Sequence, residues 1–359
     1  MADPVVKETS AAEAPAAPAP ASAPESVAKA ADTTLTAAQE PATAVPADKT
    51  ATTAETAAPS AAPATAETGA AEKTETAPAA TTAKPDEPST PLHELWLVAS
   101  RHAHKEIWGV TLADPATHVP SQIVLQKYLN ANDGDVVKAR DQLNSTLDWR
   151  AKTKPLELLE KSFAKAKFEG LGYVTTHGDG KAENPEQREV FTWNIYGAVK
   201  DMNETFGVLE EFIEWRVTLM EQAVHALNLT TATQAITADH DPYKIIQVHD
   251  YKTISFFRPP PKVKQASTET IKVLALAYPE LLKEKFFVNV PALMGFMYGL
   301  MKLFVAAKTI KKFHPMSNGG ALALEFGESK VENLGQLLPA EYGGKGESLA
   351  VQGTETKLE

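Results

Sequence analysis

YPELLKEKFFVNVP, residues 278–291, passes from a helix end to a buried strand within a few positions. The preceding run, ASTETIKVLALA, carries apolar residues at helical spacing. KFFVNVP is a short apolar run that stops at Pro291, which has no N–H to give a sheet. The following PALMGFMYGLMKLFVAA reads as helix again. Phe286–Ala307 has nearly the length of a membrane span, but Asn289, Pro291 and Lys302 interrupt it, so strand and helix is the better reading.

Working outward, the chain turns globular at Thr90. LHELWLVASRHAHKEIWG has helical spacing, and SQIVLQKYLNANDGDVVKARDQLNSTLDWRAK predicts two helices around an Asn-Asp-Gly turn. GLGYVTTHG and REVFTWNIYG read as strands, FGVLEEFIEWRVTLMEQAVHALN as a long helix, and KIIQVHDY as a further strand. A short KTIKKF strand and a LLPAEYGG close complete the pattern. Strands alternating with helices after an all-helical start predict an α/β domain with a helical lid.

Two features go against a plain apolar core. In QVHDYKTISFFRPP (Gln247–Pro260), side chains alternate along the strand, so His249 and Tyr251 share one face and Asp250 takes the other. In the long helix, Arg216 falls within the stripe Leu209, Phe212, Ile213, Met220, Val224 and Leu227. A guanidinium keeps its proton, so on a buried face it needs an anion. Arg216 either reaches the edge of the stripe, pairs with a core carboxylate, or faces an anionic ligand.

Composition narrows the function classes. Residues 1–89 are almost entirely Ala, Pro, Thr, Glu and Ser, with no Trp, Tyr or Phe, and cannot bury enough apolar area to offset ordering. They are expected to be a disordered tail, too polar and acidic for a signal or transit peptide. The tail holds 13 acidic residues against 5 lysines, which leaves 33 acidic and 30 basic residues from Thr90 onward. That near-neutral remainder gives no electrostatic footprint for nucleic acid. With no cysteine, disulfides, thiolate metal sites and a Cys nucleophile are excluded, in agreement with a cytosolic protein. The expected organisation is 1–89 tail, 90–160 helical segment, 161–346 ligand-binding domain and 347–359 loose tail.

Three motifs in order carry a family resemblance: NANDGDVVKARDQLNSTLDWR, then YPELLKEKFFVNVPALMGFMYGLMKLF with KTIKKF, then LLPAEYGG. Over roughly residues 92–346 the chain resembles the CRAL-TRIO lipid transfer proteins. The resemblance implies a mixed sheet floor, a deep apolar pocket, and a gating helix at 291–307 whose Phe, Met and Leu surface would meet lipid. In phosphatidylinositol-binding relatives a Thr and a Lys three residues apart hold the headgroup phosphate beside the Glu of Tyr-Pro-Glu. Those positions are Thr309, Lys312 and Glu280 here, and a hydroxyl and an ammonium suit a phosphodiester. Without the resemblance, Lys312 and Glu280 would read as a solvated strand edge and a helix end.

The HDYKTIS frame is similar to the family's strand, with His249 and Tyr251 in two slots that are ordinarily apolar. In this it resembles a divergent fungal branch of the phosphatidylinositol transfer proteins, in which a His-x-Tyr pair binds haem. Carried over, Tyr251 would be the phenolate ligand of ferric haem b and His249 a second ligand or a hydrogen-bond partner. Arg216 would be the nearby cation, or the partner of a propionate, and Tyr128 a further pocket residue. A phenolate is a hard donor that prefers ferric iron, and burial makes its ionisation costly unless a cation helps. The plainer alternative is two amphipathic residues with satisfied polar ends lining a cleft.

Three functions follow. The first is a non-enzymatic carrier of phosphatidylinositol serving phosphoinositide homeostasis, cytoplasmic and peripherally attached to endoplasmic-reticulum (microsomal) membranes. The second is ferric haem binding in the same pocket, in oxidant response or haem sensing, with lipid and haem excluding each other. The third, a haem-dependent redox enzyme or a hydrolase, finds no Ser-His-Asp motif, Gly-rich phosphate loop or zinc-type His spacing.

Overall fold

In a computed structural model of the 359-residue chain, the residues described are 90–179, 184–254, 260–290 and 307–359. All the described residues belong to one compact unit. The expectations for the 1–89 tail and for the 291–307 gating helix, all but its last residue, lie outside the described residues.

The helical start is α1 (Pro91–Arg101), α2 (Val119–Ala131) and α3 (Val136–Thr153). Thr90 caps α1 through its side chain, with Pro91 just inside the first turn, where no N–H is missed. The Asn-Asp-Gly turn is as predicted: Asp133 and Gly134 take positive φ, and Asp135 caps α3 by accepting from the Lys138 N–H. EIWG is not helical. β1 (Glu106–Ile107) and β2 (Val110–Thr111) form a small hairpin across Trp108 and Gly109, both at positive φ. Helical spacing misled here because Trp108 and Val110 are buried from a hairpin against the helices.

After the one-turn helices α4 (Pro155–Leu158) and α5 (Lys165–Phe168) comes the main sheet. Its strands are β3 (Gly172–Gly178), β4 (Arg188–Ile195), β5 (Ile245–Asp250), β6 (Leu282–Val288) and β7 (Phe313–Pro315). They lie in the order β3-β4-β5-β6-β7; β3 and β4 are antiparallel and the other pairings parallel. The short α6 (Met202–Gly207) and the long α7 (Leu209–Ala226) connect β4 to β5, and α8 (Pro261–Ala277) precedes β6. The expected KTIKKF strand is shifted. Ala307–Ile310 is one helical turn, and β7 begins only at Phe313, the first position there whose side chain is buried against the sheet.

Alternation along the strands divides the sheet's surroundings. Ile246 and Val248 of β5, Phe191 and Trp193 of β4, and Phe286 and Val288 of β6 point to one side, into a core closed by Phe326, Leu338 and Tyr342. Val190 and Ile245 point to the other side, into the core shared by α1, α2, α3 and α7. Residues 347–359, expected to be loose, are instead part of the fold. Leu349 is buried, Thr354 exchanges two backbone hydrogen bonds of 2.9 Å with Val174, and Phe163 pairs with the chain at 357–359. Polar composition concealed this because the segment docks through its backbone.

Candidate functional site

β4, β5, β6 and β7 present adjacent residues in two rows on the α7 side of the sheet. One row is Thr192, Gln247, Lys285 and Phe313; the next is Asn194, His249 and Phe287. Beyond β5 the chain continues with Tyr251, and a turn at 196–198 brings in Tyr196. That turn is pinned by Gly197, where a Cβ would come within 2.1 Å of the Lys252 carbonyl oxygen. The Thr253 hydroxyl also donates to the Gly197 carbonyl at 3.0 Å. Tyr196 is thereby held 5.6 Å from the rings of both His249 and Tyr251. His249 and Tyr251 are 6.5 Å apart, and each stands beside Phe287. The sequence expectation that these two share a face is met.

Asp250, on the opposite face, is structural. It accepts from the Tyr342 hydroxyl at 2.9 Å, from Asn289 Nδ2 at 2.8 Å and from the Lys252 N–H at 2.8 Å. Asn289 in turn accepts from the Gly319 N–H at 2.8 Å. The Asn of Asn-x-Pro and the Tyr of LLPAEYGG thus fasten the ends of β5 and β6 together. Gly344 permits the tight close: a Cβ there would lie 1.9 Å from the Leu338 carbonyl oxygen.

Arg216 reaches the site from α7. It is 4% exposed, donates to Asn194 Oδ1, and lies over the Trp215 ring at 5.8 Å. No carboxylate pairs with it among the described residues, which removes the core ion-pair reading. Its Nε lacks a hydrogen-bond partner, as do His249 Nε2 and Thr192 Oγ1. Buried polar atoms are rarely left so, and three on one sheet face mark a place built for a polar ligand. His249 is held well below its ordinary pKa, by burial first and then by Lys285 and Arg216, so it stands as a neutral imidazole. Burial raises Tyr251 far above a free phenol, Tyr196 adds to that, and Arg216 opposes it.

Lys285 is a residue that sequence reasoning missed. It is partly buried, and its Nζ lies over the rings of Phe287 at 5.4 Å and Phe313 at 5.7 Å. Burial, then Arg216, draws its pKa down to about 7. The available signal was a polar side chain next to the apolar Phe286 and two before Phe287, hence on the same face as Phe287. Asn194, between Trp193 and Ile195, carried the same signal.

The expected headgroup residues gather at the other end of the strands. Lys312 Nζ donates to the Leu282 carbonyl at 2.8 Å and lies 4.0 Å from Glu280 Oε2. The Lys312 N–H bonds the Thr309 carbonyl at 3.1 Å. Lys312 is pulled below its ordinary pKa by burial and by Lys244, with Glu280 opposing. The Glu280 carbonyl also receives Lys127 Nζ, itself paired with Asp241 at 2.6 Å. Leu282 and Phe287 are five residues apart on β6, so this cluster is about 16 Å from the His249 row.

Tyr128 joins neither group, contrary to expectation. It is enclosed among α2, α3 and α7, stacked on Trp108 at 5.9 Å beside the Arg150–Glu221 pair. It lies on α2, and α2 packs on α1 and α3 rather than over the sheet.

Comparison with known proteins agrees with the architecture. The CRAL/TRIO domain pattern matches residues 185–344, from the approach to β4 through the Gly-Gly close. The chain is 62% identical over 267 residues to "Phosphatidylinositol transfer protein sfh-5" of Neurospora crassa, covering 74% of each protein. The chain belongs to the CRAL/TRIO domain family. Another member, "Phosphatidylinositol transfer protein SFH5" of Chaetomium globosum, is 67% identical over 270 residues, which is 75% of this chain and 62% of that protein. The chain thus spans less than two thirds of the length of that relative. A solved structure, "Crystal structure of Sfh5", superposes with a TM-score of 0.59 at 27% identity, covering 73% of this chain and 92% of that one. Among the described residues no helix is long and apolar enough to cross a membrane, and no group of three or more acidic or histidine side chains is placed to hold a metal ion.

Proposed function

We propose that this CRAL/TRIO protein binds phosphatidylinositol and transfers it between membranes without covalent chemistry, working peripherally at endoplasmic-reticulum surfaces in phosphoinositide homeostasis. The observation that carries this reading is the half-buried Lys312 ammonium beside Glu280 and the Thr309 turn, at the positions where the family resemblance expects the headgroup contacts. The names of the high-identity fungal relatives support it. Lys312 and Thr309 would donate to the phosphodiester, Glu280 would orient the ammonium, and the apolar interior would shield the acyl chains from water. The test is lipid bound after incubation with phosphatidylinositol vesicles and re-isolation. Wild type is expected to retain phosphatidylinositol, and Lys312→Ala at least tenfold less at limiting lipid. Equal retention by the variant would remove the headgroup assignment.

A second reading, ferric haem in the same interior, is favoured by the unpartnered His249 Nε2 next to Tyr251. The donor set fits: a neutral imidazole and a phenol on one face, with two cations to offset a phenolate and propionates. Bound there, haem would supply a ferric centre for haem sensing or oxidant response. Tyr251 would hold the iron, His249 would ligate or hydrogen-bond, and Arg216 would ease ionisation of the phenol. Lipid and haem would compete for one volume. The wild-type spectrum should show a Soret band and a ferric charge-transfer band, both lost in Tyr251→Phe. A colourless wild type prepared with ample haem would return the pair to the pocket wall.

A further inference from the structure

We propose that Lys127, buried on α2, is a positioning residue of the headgroup site: its ammonium fixes the turn at Glu280 and so sets the Glu280 carboxylate beside Lys312. The inference rests on the phosphatidylinositol reading above and adds to it a residue of the helical segment that builds the site without touching the lipid.

Lysine is almost never fully buried unless its charge and its donors are matched. Lys127 is fully buried, and its three donors are all used: on Asp241 Oδ2 at 2.6 Å, on the Tyr243 carbonyl at 2.7 Å and on the Glu280 carbonyl at 3.1 Å. Burial draws its pKa down to about 8, with Asp241 opposing, so at neutral pH it is an ammonium. Asp241 and Tyr243 lead into β5, and Glu280 leads into β6. One side chain of α2 thereby joins the approaches to two neighbouring strands.

Glu280 takes a φ of 54°, in the left-handed region that disfavours any residue but glycine, so its surroundings must hold the turn. They do so through three successive carbonyls. That of Glu280 accepts from Lys127 Nζ, that of Leu281 from the Ile245 N–H at 2.7 Å, and that of Leu282 from Lys312 Nζ at 2.8 Å. Lys127 and Lys312 therefore grip one short stretch from its two ends. The Glu280 carboxylate, 4.0 Å from Lys312 Nζ, belongs to the residue that Lys127 holds. Letting the Glu280 peptide rotate would swing that carboxylate away from the Lys312 ammonium. The rest of α2 is fastened to the same region without charge. Gln122 exchanges bonds of 2.7 and 3.1 Å with the Ile236 backbone, and Asn130 Nδ2 donates to the Thr237 carbonyl at 3.0 Å. These bonds keep α2 docked when Lys127 is changed.

The experiment uses the full chain and compares Asp241→Asn with Lys127→Met/Asp241→Asn, each with Glu280 present and with Glu280→Ala. Changing both partners leaves no lone buried charge. Asparagine also keeps an acceptor for the Tyr243 N–H, which Asp241 Oδ1 holds at 3.0 Å. Phosphatidylinositol vesicles are titrated to saturation, and cooperative melting of each ligand-free protein checks the fold. Should the Lys127→Met protein not melt cooperatively, Lys127→Gln/Asp241→Asn takes its place in the same comparison. With Glu280 present, loss of Lys127 is expected to weaken binding fivefold or more; with Glu280→Ala, where there is no carboxylate to place, less than twofold. An equal loss in both backgrounds would make Lys127 a fastening of the fold alone and overturn the proposal, as would no loss in either. Glu280→Ala at wild-type affinity would overturn it too, while leaving the Lys312 contact in place. Wild type that binds no phosphatidylinositol would overturn the headgroup reading itself.

Discussion

Asp250 and Lys285 show how differently two charged residues in adjacent strands can be used. Asp250 accepts from three donors, the Tyr342 hydroxyl among them, and that bond joins the last motif of the domain to its central strand. Tyr342→Phe removes one donor from a buried carboxylate and is expected to cost about 1.5–3 kcal/mol in urea unfolding; a change below about 0.5 kcal/mol would show that the bond is not made. Among the described residues Lys285 has no such partners, and its effect on stability depends on pH. Its folded pKa of about 7 lies below the unfolded value near 10.4, so between them the unfolded chain holds more protons and stability rises with pH. The stability advantage of Lys285→Met over wild type should accordingly be greatest below about pH 7 and shrink toward pH 10. An advantage that does not vary with pH would place the ammonium in water. His249, Tyr251 and Arg216 were legible in the sequence because each breaks a period on its own element. Lys285 and Asn194 break periods too, but a lysine before Phe-Phe reads equally well as a strand end. Only the register of β4, β5 and β6 sets them in neighbouring rows on one face.

The helices and the β1–β2 hairpin are joined by a buried ionic lock that no single segment reveals. Arg150 of α3 forks onto Glu106 of β1 at 2.8 and 3.0 Å and meets Glu221 of α7 at 2.6 Å; the Tyr278 hydroxyl, just past α8, donates to the same Glu221. Arg150→Ala would strand two carboxylates and is expected to destabilise by about 3–5 kcal/mol, read by denaturant unfolding. Replacing Arg150 and Glu221 together by Met and Leu should recover much of that loss, and failure to recover would mean that packing rather than charge is at stake. Helix and strand existence was readable from spacing, including both sides of the Asn-Asp-Gly turn and the strand that ends before Pro291. Element ends were not. The hairpin at Glu106–Thr111 hid inside a helical pattern, and β7 starts after the Thr-x-x-Lys turn because that turn closes on its own backbone.

For the molecule as a whole, the two polar groups lie at opposite ends of the central parallel strands, Glu280 and Lys312 where β6 begins and His249 and Tyr251 where β5 ends. The segment after Gly346 belongs to this body, since it covers Phe163 and extends β3 through Thr354. Composition could not show that, because its contribution is backbone pairing. Truncation after Gly346 should lower stability by about 3–5 kcal/mol, from the buried Leu349 and the lost hydrogen bonds; an unchanged melting temperature would mean the segment is dispensable. The family resemblance in the motifs, by contrast, anticipated the mixed sheet floor. The most direct measurement is vesicle-to-vesicle transfer of labelled phosphatidylinositol by the full chain. Transfer well above the spontaneous rate, reduced at least tenfold in Lys312→Ala, is the expected result. Transfer no faster than the spontaneous rate, from wild-type protein that is folded and monodisperse, would contradict the account.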